Sequence, residues 1–121
     1  MGHRILIVDD EPNIVVSLEY LMKKEGFQIA VAIDGESALR LAAEFVPDLV
    51  LLDVMMPKKS GFEVCEALRA NPALAAMKII MLTAKGRETE VAKGLALGAD
   101  AYVTKPFSTK ELIVQIKNLL A

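Results

Sequence analysis

Apolar and polar positions divide the chain into five similar units, each an apolar run followed by a helical pattern. The runs lie at residues 4–8, 27–32, 48–53, 78–83 and 101–104. Residues 49–52 are apolar without interruption, which is typical of a strand buried on both faces of a parallel sheet. After each run, apolar residues recur at a spacing of three and four, which predicts an amphipathic helix.

The helical segments also carry start and stop signals. Pro12 suits the first turn of the first helix, and Gly26 is a natural C-terminal stop. Asp34 can cap the second helix. Two capping boxes, each a serine followed three residues later by a glutamate, predict the starts of the third and fifth helices: Ser60–Glu63 and Ser108–Glu111.

The fourth helix is predicted to end at Gly98 and to turn four apolar residues inward: Val91, Ala92, Leu95 and Ala96. The complete order is (βα)₅, with short loops and no linker. Strict alternation predicts a parallel sheet with helices on both faces and right-handed crossovers. We therefore expect one three-layer α/β domain over residues 1–121.

Composition narrows the function classes. The net charge is −2 and the sequence has no basic stripe, so direct binding to nucleic acid is not expected. No apolar stretch approaches ~20 residues, so no membrane span is expected. The single cysteine, Cys65, excludes an internal disulfide and suits a reducing cytoplasm, where we expect it to pack in the core.

Chemically capable residues occupy the ends of four of the five predicted strands: Asp9 and Asp10, Asp53, Thr83, and Lys105. Taken singly, Asp10 is an ordinary helix cap, Thr83 an ordinary strand residue and Lys105 an ordinary solvated charge. Parallel strands bring all of these ends to one edge of the sheet, where ligands bind in open α/β folds. Together the residues predict one pocket.

The pocket favours phosphoryl chemistry. Carboxylates without a neighbouring histidine or cysteine are hard oxygen ligands, which select Mg²⁺, Ca²⁺ or Mn²⁺. A metal ion, an ammonium group and a hydroxyl are what a dianionic phosphoryl group requires. A carboxylate can itself be the nucleophile, and Asp53, at the end of the most apolar strand, is the candidate.

These residues lie in motifs that closely resemble the receiver domain of two-component response regulators over essentially the whole chain. The motifs are Val8-Asp9-Asp10-Glu11, Leu52-Asp53-Val54-Met55-Met56-Pro57 with Gly61 beyond, Leu82-Thr83-Ala84, Gly98-Ala99-Asp100-Ala101-Tyr102 and Thr104-Lys105-Pro106-Phe107. The resemblance implies a doubly wound, flavodoxin-like sheet of order 2-1-3-4-5. That order is carried over from the family and does not follow from the periodicity.

The resemblance also implies a phosphorelay role. Asp53 is expected to accept a phosphoryl group from a histidine kinase or histidine phosphotransfer protein. Asp10, Asp53 and the backbone carbonyl of Met55 are expected to bind Mg²⁺ (or Mn²⁺), with Asp9 acting through water. Thr83 and Lys105 are expected to bind the phosphoryl oxygens.

Further features follow from the same resemblance. The Lys105–Pro106 bond is expected to be cis. Tyr102 is expected to be a switch aromatic that follows Thr83, although a half-buried strand tyrosine that never moves fits the pattern too. Met55 and Lys85 are expected to flank the pocket mouth and to control water access. Gly61 suits either a backbone shape closed to other residues or an ordinary turn.

The family usually signals through the face of the fourth helix, fifth strand and fifth helix. Its winged-helix DNA-binding subfamily dimerises there through charged pairs, but this chain has uncharged residues at the matching places: Val91, Leu97, Ala101 and Gln115. We therefore expect a monomer or a weak phosphorylation-dependent dimer. The partner is a downstream protein or a covalently linked output domain, since both a free-standing regulator and a receiver cut from a longer protein fit the sequence.

Three rival functions fit the residues less well. A haloacid-dehalogenase-type phosphatase needs a second Asp two residues after the nucleophile, where this chain has Met55. A flavodoxin-like cofactor module needs a phosphate-cradling loop, and the acidic loop at residues 9–11 would repel phosphate. A degenerate receiver used only for interaction would lack acidic-pocket residues, but all are present here. The sequence therefore favours a signalling switch over an enzyme with an external substrate.

Overall fold

The computed structural model describes residues 3–56, 59–84 and 88–121 of the chain. The strands are β1 (Arg4–Val8), β2 (Gln28–Ala32), β3 (Leu49–Asp53), β4 (Lys78–Ala84) and β5 (Ala101–Lys105). The helices are α1 (Pro12–Lys24), α2 (Gly35–Phe45), α3 (Gly61–Ala70), α4 (Glu88–Ala96) and α5 (Thr109–Leu120), with a 3-10 turn at Pro72–Leu74. Over these ranges, no helix has the length and apolar character needed to cross a membrane.

The five strands form one parallel sheet of order β2-β1-β3-β4-β5, so the predicted fold class is confirmed. The uninterrupted apolar strand β3 is central, and all five of its residues are buried. A strand with neighbours on both sides and helices on both faces has no solvent-facing side, which explains the absence of alternation in its sequence.

Two cores cover the two faces of the sheet. On one face, α1 and α5 contribute four fully buried side chains: Leu18, Met22, Leu112 and Ile116. On the other face, α2 and α3 contribute five: Ala38, Ala42, Val64, Cys65 and Leu68. Cys65 is a free thiol in this second core, as its place in an apolar stripe predicted.

The helix starts follow the predicted caps, except that α5 has a single cap in place of the predicted capping box. There Ser108 Oγ accepts from the Glu111 N–H at 3.3 Å, and among the bonds of the described residues the Glu111 side chain does not return one. Asp34 Oδ1 accepts a 2.8 Å hydrogen bond from the Ser37 N–H. Ser60 and Glu63 form the reciprocal capping box, in which each side chain accepts from the other residue's backbone N–H at 3.3 and 3.2 Å. These bonds satisfy amide donors that have no partner inside the helix.

The inward stripe predicted for α4 is wrong. Leu95 is 43% exposed, and Ala92 and Ala96 are exposed as well. The buried residue is Gly94, where a Cβ atom would lie 3.3 Å from Met81 Cγ and close to the Phe62 ring. The missing side chain lets α4 approach the sheet through Gly94, and this rotates the neighbouring apolar residues outward.

Arg69 joins three parts of the fold on the α3 side. Its Nε donates to the Gly98 carbonyl at 2.8 Å, Nη1 donates to the Met77 carbonyl, and Nη2 pairs with Asp100 Oδ2 at 2.6 Å. The same Asp100 oxygen accepts from the Ile79 N–H at 2.8 Å. One guanidinium thus holds α3, the start of β4 and the α4–β5 loop together, a role that the hydropathy pattern did not reveal.

Candidate functional site

The strand register brings the predicted site residues to one edge of the sheet. Asp53 ends β3 and pairs with Leu82, so the next residue of β4, Thr83, lies just beyond it. Asp9 and Asp10 follow the end of β1, which pairs with β3. Lys105 ends β5, one residue later than predicted. Residues up to 96 positions apart in sequence therefore share one pocket because parallel strands end together.

Three carboxylates form the floor and rim of this pocket. Asp9, Asp10 and Asp53 each offer an oxygen, and these atoms all lie within 4.8 Å of one another. Asp9 is fully buried and Asp53 is 5% exposed, whereas Asp10 is exposed. A cluster of hard oxygen donors with one open side fits Mg²⁺ or Mn²⁺, which keep part of their water shell.

Lys105 supplies the positive charge of the site. Its Nζ lies 2.9 Å from Asp9 Oδ2, 3.1 Å from Glu11 Oε1 and 3.3 Å from Asp53 Oδ1. Burial acts to lower the pKa of Lys105, but the surrounding carboxylates outweigh it and raise the pKa. The ammonium group therefore stays charged. The peptide bond from Lys105 to Pro106 is cis.

The surroundings of Asp53 disfavour the ionised form of its carboxyl group. Burial and the nearby Asp9 carboxylate raise its pKa from 3.8 to about 6, although Lys105 and a hydrogen bond from the Met55 backbone lower it. Two carboxylates that share one ammonium group remain partly uncompensated. A second positive charge, such as a divalent cation, would relieve this repulsion.

The hydroxyl of Thr83 is buried without a partner. Thr83 is 2% exposed, and among the residues described its Oγ1 has no hydrogen bond. Within the same described residues, Asp9 Oδ2 also lacks a hydrogen bond of good geometry, but it forms an ion pair with Lys105. Buried polar atoms are nearly always satisfied in folded proteins, so an orphaned hydroxyl beside the pocket points to a group that binds there.

Gly61 is required by a close approach of two backbones. A Cβ atom at this position would collide with the Asp53 carbonyl oxygen and lie 2.9 Å from Val54 Cα. The Gly61 N–H also donates to the Val54 carbonyl at 2.8 Å. Gly61 does not have a positive φ, so its role is contact and not an unusual backbone shape. The absence of a side chain lets the start of α3 lie against the backbone of Asp53 and Val54.

The remaining predicted residues are exposed side chains or lie outside the described ranges. The Met55 side chain is 67% exposed, immediately after β3. Tyr102 is 44% exposed and lines a groove of about 560 Å³ over β5 and α5. Pro57 and Lys85 lie outside the described residues.

Sequence reasoning missed Glu11 as a contact of Lys105. In the sequence, Glu11 was only one of the acidic residues in the loop at residues 9–11. It lies three residues after the first strand, so it was not counted among the polar strand ends. Its signal in the sequence was a third consecutive acidic residue beside two candidate metal ligands. Only the fold shows that this carboxylate turns towards the end of β5.

Comparisons with known proteins agree on the family. A family model described as the response regulator receiver domain matches residues 5–117. A Chloroflexus aurantiacus protein assigned as a response regulator is 34% identical with a TM-score of 0.96, covering 99% of this chain and 98% of the other. The signal receiver domain of a Syntrophus aciditrophicus signal transduction histidine kinase is 33% identical, with a TM-score of 0.91 and coverages of 98% and 90%. The chemotaxis response regulator CheY4 of Vibrio cholerae is 28% identical, with a TM-score of 0.92 and coverages of 98% and 99%.

Proposed function

The chain belongs to the response regulator receiver domain family of two-component signalling, and we propose that it is a phosphorelay switch whose phosphoacceptor is Asp53. One observation carries the assignment to this residue. Asp53 belongs to the metal-type carboxylate cluster and pairs with Lys105, and the neighbouring strand carries a buried hydroxyl, that of Thr83, which has no partner among the residues described. This combination matches the needs of a transferred phosphoryl group.

The reaction joins an Asp53 carboxylate oxygen to phosphorus. The phosphorus–nitrogen bond of a donor phosphohistidine breaks, and its electron pair stays on the protonated histidine ring. Lys105 pairs with a phosphoryl oxygen in place of part of its contact with Asp53. The Thr83 hydroxyl donates to another oxygen and gains the hydrogen bond that it lacks among the described residues.

Mg²⁺ (or Mn²⁺) supplies the charge that neutralises the phosphoryl oxygens and Asp53. Asp10, Asp53 and the Met55 backbone carbonyl are the proposed ligands, and Asp9 acts through water. The donor set supports this assignment because the carboxylate oxygens converge within 4.8 Å. The raised pKa of Asp53 supports it too, since a cation would offset the repulsion between carboxylates.

Receiver domains are phosphoacceptors and not enzymes in the usual sense. We propose that this one assists its own phosphorylation and the later hydrolysis of the aspartyl phosphate, without turning over an external substrate. Met55, whose side chain is exposed two residues after Asp53, is proposed to limit the access of water. Lys85, proposed to act with it, lies outside the described residues.

The output is proposed to pass through the face formed by α4, β5 and α5. Thr83 moves towards the phosphoryl group, and Tyr102 turns inward from its present half-exposed position. The groove that Tyr102 lines then changes shape. Residues 1–121 act as one domain in the cytoplasm. A histidine kinase or phosphotransfer protein is the donor, and a downstream protein or linked output domain responds to a monomer or a weak phosphorylation-dependent dimer.

Intact mass after incubation with acetyl phosphate and Mg²⁺ tests the proposal. The unmodified chain should gain one phosphoryl group, and Asp53→Asn should gain none. Asp48→Asn is the matched control, since Asp48 precedes the same strand at its other end. Chelation of the metal should abolish the gain. A gain that persists in Asp53→Asn would contradict the assignment of the phosphoacceptor.

A further inference from the structure

We propose that Glu11 is a charge filter at the mouth of the phosphorylation site, which makes the site favour phosphoryl donors of lower negative charge. The inference rests on the proposed function, because it concerns the same reaction at Asp53. The Glu11 side chain is 60% exposed, whereas Asp9 and Asp53 are buried. Glu11 is therefore the carboxylate that an incoming donor meets first among these three.

The position of Glu11 is set on two sides. Its backbone N–H donates to Asp9 Oδ1 at 2.9 Å, and its Oε1 lies 3.1 Å from Lys105 Nζ. The same nitrogen lies 3.3 Å from Asp53 Oδ1. The Glu11 and Asp53 oxygens can therefore be no further apart than the sum of these two distances. A donor that approaches Asp53 must pass within Coulomb range of Glu11.

Glu11 also takes part of the positive charge of Lys105. Three carboxylates (Asp9, Glu11 and Asp53) lie around the ammonium group of Lys105, and Asp10 lies beside Asp9 and Asp53, so the formal net charge of the site is −3. A bound divalent cation leaves −1. Substitution of Glu11 by glutamine would make the loaded site neutral. Glu11 has no role as a proposed metal ligand or phosphoryl contact, so its charge can be removed without removing either.

Two small phosphoryl donors of different net charge separate the effect of donor charge from a general change in the reactivity of the site. Acetyl phosphate is a dianion at neutral pH, whereas phosphoramidate carries a single net negative charge. In each case an Asp53 oxygen bonds to phosphorus. The phosphorus–oxygen bond to acetate or the phosphorus–nitrogen bond to the protonated amine breaks, and acetate or ammonia departs with the electron pair. A charge filter should act about twice as strongly on the dianion.

The test measures phosphorylation rate per donor concentration at saturating Mg²⁺, with saturation verified by titration for each variant. Glu11→Gln should accelerate acetyl phosphate by about three- to tenfold and phosphoramidate by about two- to threefold, from one removed charge at this range in water. Raising the salt to about 0.5 M should shrink both effects, because screening shortens the reach of the charge. The ratio of the two donor rates is a readout that a merely structural role would not change.

Two variants serve as controls. Glu11→Asp keeps the charge and should keep the donor ratio of the unmodified chain, and Glu44→Gln, at the exposed end of α2, should change neither rate. Equal acceleration of both donors by Glu11→Gln, a slower reaction, or Glu11→Asp behaving like Glu11→Gln would overturn the inference. If the unmodified chain is phosphorylated but Glu11→Gln leaves the ratio of the two donor rates unchanged, only the charge filter is rejected. Failure of the unmodified chain to react with either donor rejects the proposed function as well.

Discussion

Replacement of Asp53 by asparagine should stabilise the metal-free protein at neutral pH. Burial and Asp9 raise the pKa of Asp53 from 3.8 to about 6, so the folded state resists the ionised form. Two pKa units correspond to about 3 kcal/mol of free energy if the shift is fully expressed. The carboxylate lies at the solvent edge of the sheet, and screening there reduces the expected gain to about 1–2 kcal/mol.

The gain should depend on pH in a stated direction. Well above pH 6, Asp53 is ionised in both the folded and the unfolded state. The ionised form is less stable in the folded state, so the full penalty is present. As pH falls from about 6 towards 3.8, the folded state takes up a proton before the unfolded state does, and the penalty disappears. Asp53→Asn should therefore be more stable than the unmodified chain at pH 8 and nearly equal to it close to pH 4.

Urea unfolding followed by far-UV circular dichroism, in the presence of a chelator, measures this difference. Glu44→Gln is the control for loss of a carboxylate away from the site, and its stability at pH 8 should stay close to that of the unmodified chain. Millimolar Mg²⁺ should stabilise the unmodified chain and narrow its gap to Asp53→Asn, because the cation binds the folded state. An Asp53→Asn variant that is no more stable at pH 8 would refute the reasoning, since the Lys105 ion pair would then outweigh burial.

Three further substitutions have defined outcomes. Thr83→Val replaces a buried hydroxyl, which is unsatisfied over residues 3–56, 59–84 and 88–121, with a methyl group, so urea unfolding should show unchanged or slightly higher stability, by up to about 1 kcal/mol; a large loss would show that the hydroxyl has a hydrogen-bond partner. Gly61→Ala should cost more than about 2 kcal/mol because its Cβ meets backbone atoms, whereas Gly26→Ala, with a positive φ but open space, should cost only about 1 kcal/mol. A reversed order would contradict the close approach. Arg69→Met should lower the free energy of unfolding by about 2–3 kcal/mol, since it removes the ion pair with Asp100 and the donor of three backbone carbonyls; thermal melts that match the unmodified chain would show that water replaces the guanidinium.

Much of the fold was visible in local patterns. Strand β3 was evident because a strand that is buried on both faces shows no alternation of polar and apolar residues in its sequence. The start of α3 was evident because a capping box is a contact between residues three apart. The face of α4 was not evident, since a hydropathy pattern gives no weight to Gly94. Packing decided that the helix would approach the sheet through the residue that has no side chain.

The site divides in the same way. Alternation of strands and helices was enough to predict that Asp9, Asp53, Thr83 and Lys105 would share an edge, and the register places them there. Their chemical roles stay predictions until phosphorylation is measured.

The amino-acid sequence by itself determined the element order, the caps and the set of polar strand ends, because these depend on neighbours within a few residues. The tertiary structure alone decided the three-way ion pair of Lys105, the buried Thr83 hydroxyl that has no partner within the described part of the chain, and the rise of the Asp53 pKa to about 6. Each of these depends on distances of a few ångströms between different strands. It also decided why residue 61 must be glycine, since the atoms that exclude a side chain there belong to the backbone of β3 and the residue after it. Burial and contact between distant residues are properties of the packed chain, and no local pattern contains them.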